Sequence, residues 1–457
     1  MIEGSVGFLN SRPSILKRFD SIMELFKNGA TPSNFAHAQE KMSQATAHTI
    51  PRSHRLVQTL SALRHRNYRL YWFGQLSSVL AQNMEGVAQS WLVLELTNSP
   101  LLLGLTGLAF AAPTITLTLL GGVVADRADR RRIMILSQVG SASIFLILAT
   151  LVLAQWVALW HVMTLAFLSG CIRAFDRPSR MALLPQMVPK EDIPNAVAVG
   201  GTIWQLNRLV GPAVAGMLIY LVGIGPTYYF CFFASLSAVC VWLGIRFQHQ
   251  PTAMAAGGLL QHMMDGLNFI RRNEIYYTFI SMTFFNSVFG MSYLILMPVF
   301  ARNVLAVGSQ GFGFLQSAGG LGALCGVVAV AYFSHSSGKG RQAIGGAIIF
   351  GILLIVFALS KSYSLSLIVA CALGIASQFY ITTINAILQV NLPDQLRGRV
   401  MGIYGLTWEL MPVGGLMAGA IAEYAGAPAA VLVGGVLVAT TALGVALFLP
   451  NMRRLEQ

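Results

Sequence analysis

Beyond an N-terminal tail, long apolar runs separated by short polar or glycine-proline breaks fill the chain. Roughly 20 apolar residues in a helix cross a hydrocarbon core. Spans are therefore predicted near 68–96, 101–125, 133–153, 157–179, 196–221, 225–246, 275–301, 308–333, 343–360, 364–389, 400–424 and 427–449. Turn residues punctuate them, as in Asn98-Ser99-Pro100 and Gly223-Ile224-Gly225-Pro226. The expected fold class is an all-α membrane protein of twelve transmembrane helices.

Basic residues orient the spans, because Lys- and Arg-rich loops stay on the cytoplasmic side. Of the 30 Lys and Arg, Arg302 and Lys361 fall in loops on one side and Arg208 lies within a span. The others lie in the tails, the opposite loops or the helix ends beside them. Both termini are thus expected in the cytoplasm, with the bacterial inner membrane as the location. A weak repeat joins Gly211-Pro212-Ala213-Val214-Ala215-Gly216 to Gly414-Gly415-Leu416-Met417-Ala418-Gly419 and divides the chain into two six-helix bundles. Such duplication lets one half rock against the other. The expected organisation is a tail at 1–66, a first bundle at 67–246, a hinge at 247–272, a second bundle at 273–449 and a tail at 450–457. Within the hinge, Leu260, Met263, Met264, Leu267 and Ile270 share one helical face, predicting an amphipathic helix on the inner leaflet. Residues 14–27 have a similar pattern, with an irregular tail as the competing reading. No cleavable signal peptide is evident in residues 1–62.

Composition narrows the function. The chain is 55% hydrophobic and 10% charged, against about a quarter charged in soluble domains. Its net charge of +13 falls in short clusters between apolar runs, which argues against a nucleic-acid face. The five cysteines sit inside apolar segments without CxxC spacing and read as buried packing residues. Histidines lie in tails, loops or helix ends, so neither a metal nor another cofactor is expected. Gly338-Lys339-Gly340 lacks the spacing and hydroxyl of a phosphate loop. No catalytic constellation is legible either. A non-enzymatic carrier of small molecules, working as a monomer in the bilayer and driven by protons, remains.

Five stretches carry a family resemblance, one of them Asp265-Gly266-Leu267-Asn268-Phe269-Ile270-Arg271-Arg272 of the hinge. Gly122-Val123-Val124-Ala125-Asp126-Arg127-Ala128-Asp129-Arg130-Arg131-Arg132 follows the second span, and Ala174-Phe175-Asp176-Arg177-Pro178-Ser179-Arg180 ends the fourth. Asn207-Arg208-Leu209-Val210-Gly211-Pro212 lies in the fifth, and Leu396-Arg397-Gly398-Arg399-Val400-Met401-Gly402 opens the eleventh. Together they resemble the major facilitator superfamily, in particular a bacterial subfamily that includes the enterobactin exporter and macrolide-efflux relatives. Asp129 stands where many members have glycine, and Gln82 where relatives often carry an acid. The resemblance implies a gate at the inner face built on Gly122, Asp126, Arg127, Arg130, Arg131 and Asp176. In it, Asp126 faces the start of the eleventh span near Gly398 to Val400, and Arg130 pairs with Asp176. It also implies efflux of an amphipathic or siderophore-like molecule, with import or a non-transporting scaffold as alternatives.

Polar stripes mark a candidate cavity. Gln75, Ser78, Gln82, Glu85 and Gln89 recur at steps of three and four in the first span, and Gln378, Thr382, Asn385 and Gln389 do so in the tenth. Asn286 and Tyr293 lie in the seventh. Two readings compete: a wet pathway, or hydrogen bonding between helices. A charged Glu85 at mid-span costs about 2.5–3.5 kcal/mol on insertion scales and needs compensation. At about 1.5 Å per residue Arg208 lies at a similar depth. The two are expected to form either a static ion pair or a proton-exchanging couple, with Glu409 as the reserve carboxylate.

Overall fold

Describing residues 61–246, 259–333 and 338–453, the computed structural model turns the apolar runs into helices. The first six are α1 (Arg66–Thr97), α2 (Pro100–Arg127), α3 (Arg130–Leu153), α4 (Leu159–Leu183), α5 (Ile193–Val222) and α6 (Ile224–Leu243). Local chemistry sets their ends. Ser99 caps α2 by accepting a hydrogen bond from the Leu102 N–H at 3.2 Å, with Pro100 pre-set at the first helical position. Asp129 caps α3, accepting from the Arg131 N–H at 2.9 Å and the Arg132 N–H at 3.3 Å, which gives this departure from the family pattern a structural use. Gly223 turns α5 into α6 at φ 87, a backbone region that glycine enters without a Cβ clash.

The second set follows α7 (Leu259–Arg272), whose Gly266 and Ile270 are buried while Met264 is exposed. It packs on the start of the eleventh predicted span, and Asp265 pairs with Arg399 at 2.8 Å. The hinge is therefore seated on protein along one face. Its residues 247–258, like the stretch 14–27, lie outside the described residues.

Then come α8 (Glu274–Phe285), α9 (Tyr293–Val299), α10 (Gly308–Phe333), α11 (Lys339–Leu359) and α12 (Tyr363–Asn391). After them lie α13 (Asp394–Glu409), α14 (Met411–Ala425), α15 (Ala427–Phe448) and the short α16 (Pro450–Arg453). Two predicted spans are broken. A wide π turn at Asn286–Gly290 separates α8 from α9, where Gly414 and Gly434 press on the carbonyls of Val288 and Phe289. Leu410 separates α13 from α14 because Pro412, in the first turn of α14, has no N–H to continue the ladder.

The packing repeats with the sequence. α2 lies on α4 and α3 on α6, just as α10 lies on α12 and α11 on α15. The two sets meet through α5 against α10 and α14 against α2. The offset of the glycine repeat also relates Gly223 to Gly426, which turns α14 into α15 at φ 84. At the meeting lines the repeat has a use: a Cβ on Gly216 would fall 2.5 Å from the Ser309 carbonyl oxygen, and one on Gly419 would fall 2.5 Å from that of Pro100.

Among the described residues, nine helical segments are long and apolar enough to cross a membrane. The three further long segments, α1, α4 and α13 with α14, fall short because they carry the polar and charged side chains of the interior. The chain is a multi-pass membrane protein. One expectation needs correction: Cys240 and Cys325 are exposed on helix surfaces rather than buried, while Cys231 is buried as predicted.

Candidate functional site

The polar face of α1 divides into two environments. Near its start, Gln75 and Ser78 are buried and enclosed by Arg180 of α4, which donates to Gln75 Oε1 and to Ser78 Oγ at 3.2 Å. Arg180 also donates to Gln138 Oε1 at 3.1 Å, pairs with Asp176 at 2.7 Å and lies 4.6 Å over the Trp242 ring. Ser78 in turn donates to Gln138 Oε1 at 2.7 Å. These contacts join α1, α3, α4 and α6 in a saturated network, so this part of the stripe bonds helices together. Removing one partner of such a buried pair costs about 3–5 kcal/mol, because the other charge is stranded.

Farther along α1 the face opens. Gln82 accepts a hydrogen bond from Arg173 and donates to Ser78 Oγ at 3.3 Å. Glu85 accepts from Ser169 Oγ at 3.4 Å and has Arg173 as the neighbouring cation. The expected pair with Arg208 is not formed. Equal depth does not give equal direction: Glu85 turns toward α4, whereas Arg208 turns toward the second set of helices, near Tyr293.

Two adjoining cavities lie between the sets. One, of 310 Å³, takes Gln82, Gln89 and Ser90 from α1, Thr106 from α2 and Gln316 from α10. The other, of 400 Å³, takes Asn83, Arg208, Tyr293 and Gln316. They share Asn83, Leu294 and Gln316. Asn286 lies apart from both, buried in the π turn, and neither side-chain polar atom has a hydrogen-bond partner among the described residues. In α12, Gln378 donates to Thr382 Oγ1 at 3.0 Å and Gln389 bonds Asn385, so these stripe residues pair along their own helix. Glu409 pairs with Arg177 of α4 and joins the two sets.

Sequence reasoning missed Asn83, Arg173, Arg177 and Gln316. The arginines at 173, 177 and 180 lie at steps of four and three, a helical face that was legible but was taken for the basic end of a span. Gln316 is an amide in a glycine-rich apolar run that also holds Gln310, the kind of intramembrane polar residue that marks an interior.

The gate residues are arranged differently from the expectation. Arg130 pairs with Asp126 at 3.3 Å and donates to the Ala125 and Ala182 carbonyls at 3.0 and 3.3 Å. Asp176 is taken by Arg180, one turn along its own helix, and not by Arg130. Among the described residues Asp126, half exposed, bonds Arg130 and makes no bond to the 398–400 segment. Arg131 caps the end of α6 through the carbonyls of Trp242 and Leu243, and Arg127 is also engaged. Among the described residues, a Cβ built on Gly122 or on Gly398 would meet nothing within 4 Å.

Known proteins share this architecture. The multidrug efflux pump Tap of Mycolicibacterium fortuitum is 26% identical over 401 residues, covering 85% of this chain and 96% of its own. The staphyloferrin A transporter of Staphylococcus aureus is 23% identical over 367 residues, covering 78% of this chain and 90% of its own. A mutant of the nucleoside transporter NupG superposes with a TM-score of 0.67 at 12% identity, over 83% of this chain and 100% of its own, and so shares the fold. A family profile described as transmembrane secretion effector matches residues 57–457. The kinship is to transporters and not to enzymes, and the chain belongs to that family of the major facilitator superfamily.

Proposed function

We propose that the protein is a secondary active carrier that exports a small amphipathic or siderophore-like molecule from a bacterial cytoplasm in exchange for protons. It works as a monomer with twelve spans in two six-helix bundles, 67–246 and 273–449, linked by the hinge 247–272, with the tails 1–66 and 450–457 both in the cytoplasm. The distribution of Lys and Arg supports that orientation. The relatives named for efflux and for a siderophore support the cargo class.

One observation carries the mechanism. The seam between the bundles is closed at the arginine-poor end, where Gly104, Gly216 and Gly419 touch backbone of the opposite set. At the arginine-rich end, among the described residues, a Cβ on Gly122, Gly398, Gly402 or Gly405 would face open space. This is the form expected of a carrier open to the cytoplasm, and the reverse closure completes alternating access. In the open form Asp126 is released from the 398–400 segment and held by Arg130. Glu85, between Ser169 and Arg173, carries the exchanged proton, and Glu409 with Arg177 ties the bundles.

Everted vesicles with a pH-sensitive dye test this reading. Substrate added to wild-type vesicles is expected to release protons from an acidified lumen. In Glu85→Gln that release falls by at least about tenfold, as for the loss of a positioned proton-transfer group, while downhill substrate movement persists. Unchanged proton release in the variant removes Glu85 from the coupling.

A further inference from the structure

Among the charges of the helix interior, Arg208 stands apart. Arg180 has Asp176, Arg177 has Glu409, and Arg173 has Gln82 with Glu85 nearby. Arg208 makes no hydrogen bond or ion pair with any described residue. It is nonetheless half buried at the level where α5 meets α10, with Gly320 packed against its own backbone carbonyl. Its side chain enters the 400 Å³ cavity, where Asn83 and Gln205 come from one bundle and Tyr293 and Gln316 from the other. A cation held at such depth is expensive unless an opposite charge or water answers it. A guanidinium offers several donors in a fixed planar fork suited to an oxyanion.

We infer that Arg208 is the point at which this cavity recognises an oxyanion of its ligand, a carboxylate or a phosphate, with the neutral amides and Tyr293 supplying further hydrogen bonds. The inference rests on the carrier reading above and specifies its cargo: an amphipathic molecule bearing at least one anionic group. Arg208 comes from one bundle and Tyr293 and Gln316 from the other, so an anion seated there touches both halves. Glu85 is left free for the proton. Trp204, half exposed beside the cavity, marks a side from which a lipid phosphate would arrive as an alternative source of the same chemistry.

The probes are a diethylaminocoumarin carboxylate and its ethyl ester, amphipathic molecules that differ by one charge. The purified full chain in phosphatidylcholine nanodiscs is expected to bind the carboxylate about tenfold tighter than the ester, the change that one charge-assisted contact implies. Arg208→Gln is expected to abolish the preference by weakening the carboxylate alone. Arg208→Met, which keeps the apolar stem, should do the same, and ester affinity reports that either variant is assembled. Wild type that binds neither probe or both equally overturns the inference, as does a preference that survives in either assembled variant. Adding phosphatidylglycerol separates the sources: displacement of the carboxylate that depends on Arg208 assigns the site to a lipid headgroup, and unchanged binding assigns it to a free solute. Transport is read separately in proteoliposomes. A preference in binding without transport sinks the carrier reading and leaves Arg208 standing, whereas transport without a preference sinks only this assignment.

Discussion

The two ends of the seam use glycine in opposite ways. At the arginine-poor end, a Cβ on Gly104 would lie 2.7 Å from the Gly415 carbonyl oxygen, so the missing side chain is what lets α2 and α14 touch. Polar clasps reinforce that contact. Glu423 accepts from Ser99 Oγ at 2.7 Å and from the Leu101 N–H at 3.2 Å, placing a negative charge on the N-terminus of α2. Arg302 donates to the Leu94 carbonyl at 2.8 Å, placing a positive charge on the last turn of α1. Both complement the helix dipole. At the arginine-rich end, Gly398, Gly402 and Gly405 lie on the same stripe of α13 as Glu409, which reaches across to Arg177, yet a Cβ on any of these glycines would meet no described residue within 4 Å. A glycine inside a helix costs roughly 0.5–1 kcal/mol relative to alanine. In this conformation those residues have no close packing among the described residues to offset that cost, and under the alternating access proposed above the opposite closure would use them as Gly104 and Gly419 are used here.

Enlarging one residue at each end breaks the comparison most sharply. Gly104→Ala forces backbone apart at the closed end and is expected to destabilise this conformation by about 1–3 kcal/mol. Labelling of a cavity cysteine from the arginine-poor side should rise accordingly, and unchanged labelling would mean that the end does not open. Glu423→Gln keeps the shape but removes the charge from the α2 N-terminus, an effect of about 1 kcal/mol or less that should raise the same labelling by a few-fold. Added salt should shrink the difference between variant and parent if the clasp is electrostatic. The smallest effect carries the opposite sign. Gly402→Ala meets no neighbour here and is expected to favour this conformation by about 0.4–1 kcal/mol, seen as a small gain in thermal stability together with slower transport. A loss of stability would show that Gly402 is already packed.

Much of this was legible in the sequence. Apolar runs and turn residues located the helices, and the last glycines of the repeat, Gly216 and Gly419, pack on backbone of the opposite set, while Gly211 and Gly414 pack on Asn83 and Val288 of their own. What local spacing does not contain is which way a face points. Gln75 and Ser78 share a stripe with Gln82 and Gln89, but only the fold brings Arg180 and Gln138 onto the first pair and leaves the second facing a cavity. The same limit explains the pairing of Glu85 with Arg208, argued from depth alone. The π turn at Asn286 was hidden for a related reason, since it forms where Gly414 and Gly434, distant in sequence, press on adjacent carbonyls. Arg173, by contrast, is visible in the sequence as part of an arginine face, but basic residues near a helix end usually mark membrane orientation.

Alternating closure of the seam is tested most directly by spin-label distances at its two ends, measured together in proteoliposomes. Exposed positions are available on both sides: Val123 with Leu406 at the arginine-rich end, and Leu96 with Tyr424 at the arginine-poor end. With each pair replaced by cysteine in a background free of native cysteines, imposing a proton gradient is expected to shorten the first distance while lengthening the second. Two distances that stay fixed, or that change in the same direction, would contradict it.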